Sequence, residues 1–146
     1  MVRSGTRWKR PESVLVLVCA GRQVLLLQRR SPAGYWQSVT GSLRWGESAL
    51  AAARRELFEE TGIQAGDALR DLGEQRRFAI VPPWTARYAP HARFNREHWF
   101  LLRLGARRLV RLSAREHTAF RWVDAAVAAR QVFSSTNREA IRLFCA

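Results

Sequence analysis

Long apolar runs are missing from this sequence. The longest is Val14–Ala20, which has the length of a strand, whereas a membrane-spanning helix needs about 20 apolar residues. The basic N-terminal segment 1–11 also lacks the small-residue cleavage signature of a secreted precursor. We therefore predict no membrane span and expect a cytoplasmic protein. The 146 residues are enough for a single domain, 1–146, with a buried core.

Cysteine is scarce as well, which excludes a metal-binding or redox motif built from thiols. The two cysteines, Cys19 and Cys145, stand far apart in the sequence, one in an apolar segment and one beside the C-terminus. We interpret both as buried, inert thiols. The histidines at 91, 98 and 117 share no metal-ligand spacing and are interpreted as structural.

Acidic residues number only 12 against 25 basic residues, so the formal net charge is +13 at pH 7. This charge is typical of a protein with a polyphosphate or RNA partner. The cations are spread along the chain rather than gathered in one block, and Lys9 is the only lysine. We therefore interpret them as scattered surface arginine rather than a nucleic-acid groove, and an RNA partner stays open.

The distribution of apolar and turn-forming residues predicts strands interspersed with helices. Ser48 and Asp124 are suited to begin helices, and Gly62 is suited to end one. Because the elements are mixed along the chain, we expect an α/β fold with a mixed sheet packed between helices. The predicted strands are 13–19, 23–28, 36–39, 69–81, 98–104 and 120–123, and the predicted helices are 49–61, 125–130 and 134–144.

Carboxylates crowd the first predicted helix. At about 3.6 residues per turn, Glu56 and Glu60 stack on one face and Glu59 lies beside them. Such carboxylates repel each other unless cations lie between them, and Mg²⁺, with Mn²⁺ as a substitute, prefers oxygen ligands. Arg55 is placed to pair with Glu59 and orient it, and Gly41 has no side chain to keep its carbonyl from a metal. Taken alone, the stretch is more typical of a solvated helix face with ion pairs.

The residues around this helix resemble the Nudix box. That pattern reads glycine, five residues, glutamate, seven residues, Arg-Glu-aliphatic, any residue, Glu-Glu, any residue, Gly-aliphatic. The resemblance implies the Nudix fold, an α/β/α sandwich with a mixed β-sheet, and an enzyme that hydrolyses polyphosphates with Mg²⁺. Every specified position is filled, by Gly41, Glu47, Arg55, Glu56, Leu57, Glu59, Glu60, Gly62 and Ile63.

Further segments are similar to the bacterial Nudix enzymes that act on dihydroneopterin triphosphate in folate synthesis. The resemblance implies that dihydroneopterin triphosphate and water become dihydroneopterin monophosphate and pyrophosphate. It weakens at 64–81, and Pro82-Pro83 departs from it. The similar segments, in order along the chain, are 9–11, 27–30, 36–42, 87–90, 99–100, 116–117 and 137–141.

The same resemblance implies the roles of individual residues. Glu56, Glu60 and Glu116 bind Mg²⁺, and Glu59 is the next candidate ligand. Glu116 and Glu59 are the candidate bases that activate water, and we favour Glu116 because it lies outside the carboxylate helix. The backbone of 78–81 is expected to read the edge of a pterin, with the Phe78 ring stacked on it. The implied substrate contacts are Lys9, Arg29, Thr40, Phe78, Ala79, Ile80, Val81 and Ser134.

Two other functions stay open at this point. The same chemistry can act on nucleoside triphosphates or on the 5′-triphosphate ends of RNA. A Nudix-fold binding module without catalysis is the other alternative, but such a module should show a broken box, and here every helix carboxylate is present. The sequence fixes neither the oligomeric state nor the number of metal ions.

Overall fold

The structure is a computed structural model and describes residues 8–146. It contains seven strands, three α-helices and two short 3₁₀ helices at Gly66–Ala68 and Trp84–Arg87 within that range. The strands are β1 (Glu12–Ala20), β2 (Gln23–Arg29), β3 (Trp36–Gln37), β4 (Val39–Ser42), β5 (Arg70–Ala79), β6 (Phe94–Leu104) and β7 (His117–Asp124), and the α-helices are α1 (Ala49–Thr61), α2 (Ala125–Gln131) and α3 (Ser135–Phe144).

All seven strands join one mixed sheet. Its main path runs β3-β2-β1-β6-β5, while β4 pairs with β1 and β7 pairs with β2. Only the β1–β6 pair is parallel among the described pairs; the others are antiparallel. The central strand β1 therefore pairs with β4 along its first half, Ser13–Val16, and with β2 at its end.

Helices cover both faces of the sheet, which confirms the predicted α/β/α sandwich. Successive residues of β1 point to opposite faces, as the period of a strand requires. Leu15 and Leu17 pack with α2 and α3, whereas Val14 and Val16 pack with α1 through Leu57. Because both faces are covered, β1 is buried almost throughout, which explains its continuous apolar run.

Helix α1 has the bounds that its sequence predicts. The Ser48 hydroxyl accepts a hydrogen bond from the Ala51 amide at 3.1 Å, and Gly62 ends the helix at φ 77°, a conformation that glycine adopts without strain. Asp124 and Ser134 cap α2 and α3 in the same way. Because both ends of α1 are capped, its carboxylates have fixed positions relative to one another.

Several strand boundaries differ from those predicted. Strand β6 begins at Phe94 rather than His98. The segment Phe94–Glu97 alternates exposed and buried positions and carries polar residues at the buried ones. This part of the strand therefore lacks the apolar signal on which the prediction relied. The predicted segment 36–39 is split into β3 and β4, and β7 begins three residues earlier than predicted. No helix within residues 8–146 is long and apolar enough to cross a membrane.

The interpretation of the cysteines as free thiols was wrong. Cys19 and Cys145 are 126 residues apart in sequence and are joined by a disulfide in the structure. The pairing follows from the packing of the end of α3 against β1 in the same apolar cluster. Spacing along the chain carries no signal of such a contact.

Candidate metal and substrate site

A cavity of about 700 Å³ opens between the strands and α1. Every residue that the sequence analysis assigned to substrate lines it, together with Gly41, Glu56 and Glu116 of the predicted metal set. The substrate residues are Lys9, Arg29, Thr40, Phe78, Ala79, Ile80, Val81 and Ser134. The fold therefore brings distant segments together in one site, and the role of each residue stays a prediction.

Helix α1 buries two of its carboxylates at this site. Glu56 is 8% exposed and Glu60 only 1% exposed, because their positions, four residues apart, share the face of α1 that turns inward. Burial raises the pKa of both groups, and the charge of Glu56 helps to raise that of Glu60 well above its usual value. The two carboxyls lie side by side rather than apart, so their negative charges oppose each other.

Glu116, just before β7, and His117, the first residue of β7, complete a group of candidate metal ligands around Glu60. Ligand atoms of Glu60, Glu116 and His117 all lie within 4.8 Å of one another. His117 Nε2 is 3.6 Å from a Glu60 oxygen. Burial, with Arg29 nearby, lowers the pKa of His117 to about 4, so the ring is neutral at pH 7 and does not balance the carboxylate charge. His117, interpreted from the sequence as structural, belongs to this group.

The group fits a divalent cation. Within residues 8–146, no donor reaches either buried Glu60 oxygen with hydrogen-bond geometry, and a buried carboxylate is rarely left in that condition. An oxygen-rich group beside a polar cavity suits a hard cation such as Mg²⁺. Glu60 and its neighbour Glu56 are the carboxylates placed to hold it, and Glu116 lies beside Glu60 as a candidate ligand or base.

Arg55 connects the remaining acidic residues of the box. Its guanidinium donates two hydrogen bonds of 2.8 Å to Glu47, one of 2.9 Å to Glu56 and one of 3.1 Å to Glu59. The expected pairing with Glu59 is present, but the bidentate partner is Glu47. Glu59 is exposed and also faces Arg44 at 3.5 Å, so it does not line the cavity. The fixed spacing of the box places Glu47 and Arg55 in contact.

Gly41 leaves room for one of these carboxylates. A Cβ built on Gly41 would clash with the Oε2, Cδ and Cγ atoms of Glu56. The position on β4 therefore has to be glycine if Glu56 is to keep its place. The sequence analysis selected Gly41 because its backbone carbonyl could approach a metal. The close approach of the Glu56 side chain is a second reason for glycine at this position, and only the folded structure reveals it.

Cations gather on another part of the cavity wall. Lys9, Arg29 and Arg87 all line it, and burial together with Arg87 lowers the pKa of both Lys9 and Arg29. Cations are held together in this way where an anion is to be bound, and arginine forks match phosphate oxygens. Thr40 donates to the Val14 carbonyl at 2.8 Å and Ser134 caps α3, so both also have structural roles.

The sequence analysis missed several residues of the cavity. Asn95 and Glu97 of β6 are buried there, and Trp84 and Phe133 add aromatic rings. The available signal was the alternation of Phe94–Trp99, in which polar residues occupy the buried positions of a strand. Burial of a polar residue costs free energy unless it is hydrogen-bonded, so a polar residue at an inward position of a strand needs a partner in the protein or in a ligand.

Residues 9–144 match the NUDIX domain family, and the chain belongs to that family. It is similar to dihydroneopterin triphosphate diphosphatase of Escherichia coli K12, with 42% identity over 142 residues that cover 94% of this chain and 93% of the relative. The enzyme of the same name from Haemophilus influenzae is 36% identical and covers 94% and 89%. The solved E. coli dihydroneopterin triphosphate pyrophosphohydrolase superposes with a TM-score of 0.89 at 41% identity, covering 94% and 97%.

We expect Glu47→Gln to lower the free energy of unfolding in a pH-dependent way. Hydrogen bonds from Arg55 lower the pKa of Glu47 from 4.5 to about 2. A depressed pKa stabilises the fold above pH 4.5, and this contribution is lost as the pH falls toward 2. Urea denaturation should show a loss of about 2–3 kcal/mol at pH 7 that shrinks below pH 4.5.

The matched control is Glu74→Gln, which removes a carboxylate from the partly exposed pair with Arg76. That variant should change the free energy of unfolding by less than about 1 kcal/mol at either pH. A Glu47→Gln loss that is equal at pH 3 and pH 7 would contradict the assigned role of the Arg55 pair.

We expect Gly41→Ala to weaken divalent-metal binding while the fold is retained. The added Cβ forces the Glu56 side chain out of its position, and Mn²⁺ affinity measured by calorimetry should fall about 10- to 100-fold. Gly105→Ala is the control, because a Cβ there meets nothing within 4 Å. Unchanged Mn²⁺ affinity in folded Gly41→Ala would remove Glu56 from the ligand set.

Proposed function

We propose that this chain is a Mg²⁺-dependent pyrophosphohydrolase that converts dihydroneopterin triphosphate and water to dihydroneopterin monophosphate and pyrophosphate. One observation carries the proposal: the buried carboxylate of Glu56 and the partly buried cations Lys9 and Arg29 line the same cavity of about 700 Å³. That combination suits a metal-bound polyphosphate. The relatives that cover more than nine-tenths of this chain at 42% and 36% identity bear the corresponding name, which supports the pterin as substrate.

The residues divide the work according to charge. Lys9, Arg29 and Arg87 are placed to bind the phosphate oxygens and orient the chain of phosphates. When bound, Mg²⁺ neutralises polyphosphate charge and lowers the pKa of water. Glu116 is exposed at the cavity and is the proposed acceptor of the proton that water gives up as it attacks phosphorus. Water thereby breaks the anhydride between the α- and β-phosphates, and pyrophosphate leaves.

The size of the substrate is argued from the cavity. Its volume suits a small-molecule triphosphate, and we propose that residues 1–146 act as one domain on such a substrate. The scattered arginines do not form a continuous run in the sequence, so they offer less support for an RNA substrate. Hydrolysis of nucleotides or RNA ends is therefore an outcome of the test below.

The decisive measurement is pyrophosphate release from dihydroneopterin triphosphate, with and without Mg²⁺. We expect release in Mg²⁺, none after chelation, and a loss of at least about 100-fold in Glu60→Gln, because a ligand carboxylate is removed. dATP and a 5′-triphosphate RNA serve as competing substrates. A preference for either one by orders of magnitude in kcat/KM would replace the pterin in the proposal.

Two further variants test the proposed base. Glu59→Gln and Glu116→Gln should both lose activity, and Glu116→Gln should keep the higher Mg²⁺ affinity, because a base is needed for proton transfer and not for binding the ion. Removal of a general base commonly lowers kcat by about 100- to 10,000-fold. The kinetic constants and Mg²⁺ titrations are compared at one pH. Equal losses of Mg²⁺ affinity would reassign Glu116 from base to ligand.

A further inference from the structure

Strand β6 contributes two buried polar residues to the cavity that the chemistry above does not use. Asn95 is 1% exposed and Glu97 is 4% exposed. As alternate residues of one strand they share a face, and both line the cavity. The metal group lies on α1 and at the start of β7, so these two residues serve another part of the site.

The hydrogen bonds of Glu97 fix its carboxylate without using all of its acceptors. The indole Nε1 of Trp99 donates to Glu97 Oε1 at 3.0 Å, and Thr136 also hydrogen-bonds to the carboxyl. A carboxylate has about four acceptor positions. Two neighbours therefore hold the group in place, and further acceptor positions remain for a ligand.

Asn95 is left with an acceptor that lacks a donor. Its Nδ2 donates to the Ser13 hydroxyl at 2.7 Å, which fixes the orientation of the amide. Its Oδ1 is buried and finds no hydrogen-bond donor within residues 8–146. A buried acceptor without a donor is unfavourable, and in a native structure it commonly marks a position that a ligand completes.

The cavity that holds this acceptor pair also carries aromatic rings suited to a flat heteroaromatic ligand. Phe78, Trp84 and Phe133 line the same cavity, and the Trp84 and Phe133 rings are nearly parallel, with an interplanar angle of 12° and centroids 5.9 Å apart. Aromatic faces bind a ring by stacking, while Glu97 and Asn95 offer acceptors to its edge. The complementary ligand edge is therefore one that carries adjacent N–H donors.

We propose that Glu97 and Asn95 bind the 2-amino-4-oxopyrimidine edge of the substrate's base. The Glu97 carboxylate accepts hydrogen bonds from the 2-amino group and the adjacent N3–H, and Asn95 Oδ1 accepts from the second amino hydrogen. This assignment deepens the proposed function and rests on it for the identity of the base. The expectation that the backbone of 78–81 reads this edge stays a prediction, although the Ile80 amide already donates to the Arg93 carbonyl.

Glu97→Gln tests the assignment with little change in shape. Gln keeps one acceptor for Trp99 but places an NH₂ group opposite the donors of the base. We expect kcat/KM for dihydroneopterin triphosphate to fall about 10- to 100-fold, mainly through KM, as for the loss of a charged hydrogen bond. Turnover of dTTP, whose base carries a carbonyl oxygen in place of the amino group, should not fall, because the new amide can donate to that oxygen. Glu139→Gln, an exposed carboxylate paired with Arg76, is the matched control.

A binding measurement separates recognition from hydrolysis. Pterin and lumazine differ at C2, where pterin carries an amino group and lumazine a carbonyl oxygen. Their dissociation constants are measured by fluorescence without metal. Wild type should prefer pterin, and Glu97→Gln should lose that preference because its amide can donate to the lumazine oxygen. Asn95→Leu, which keeps the branched shape but removes both Oδ1 and the Nδ2 donor to Ser13, tests the second residue, and thermal unfolding verifies that each variant is folded.

The outcomes distinguish the two proposals. If wild type hydrolyses dihydroneopterin triphosphate but folded Glu97→Gln and Asn95→Leu keep both kcat/KM and the pterin preference, the base assignment is overturned. If wild type does not hydrolyse it, yet the pterin preference is present and lost in Glu97→Gln, the assignment stands and the proposed function fails. A higher kcat/KM for dGTP, which carries the same edge on a purine, would keep the two residues and replace the pterin.

Discussion

Two carboxylates withdrawn from water on adjacent turns of α1 set the conditions for the rest of the site. Glu56 and Glu60 are buried side by side, and burial raises the pKa of each. Such a pair is unfavourable unless a proton or a cation lies between its members. The surrounding structure maintains this arrangement: Gly41 leaves the space for Glu56, and Arg55 holds one Glu56 oxygen while Glu47 anchors Arg55.

The distribution of charge within the cavity matters more than the net charge of +13. Glu56 of α1 and Glu116 line the same cavity as Lys9 and Arg29, whose pKa values burial lowers. The carboxylates suit a metal ion and the cations suit a polyphosphate, which is what the proposed function requires. This explains why a basic protein keeps a buried acidic group.

Local features of the sequence predicted the helix and its carboxylates well. The Ser48 cap, the uninterrupted helix-forming run and Gly62 all act within a few residues, so α1 has the predicted bounds. Contacts between distant segments were harder to predict, because they depend on packing between elements. Examples are the bidentate Glu47–Arg55 pair, the Cys19–Cys145 disulfide and the inward direction of Asn95 and Glu97. These polar positions also weakened the apolar signal of β6 and hid its first residues.

Features predicted from local sequence and features that depend on packing between distant segments belong to different parts of the site. The buried carboxylates of the metal site have relative positions set by one helix and the loop before it, so a short motif is enough to specify them. The proposed recognition of the base rests on side chains from β5, β6 and the segment before α3, which line the cavity and which no fixed spacing links. Substitutions on these elements can alter the edge offered to the base without moving the α1 carboxylates. Chemistry can therefore be read from the motif, whereas substrate identity requires the folded cavity.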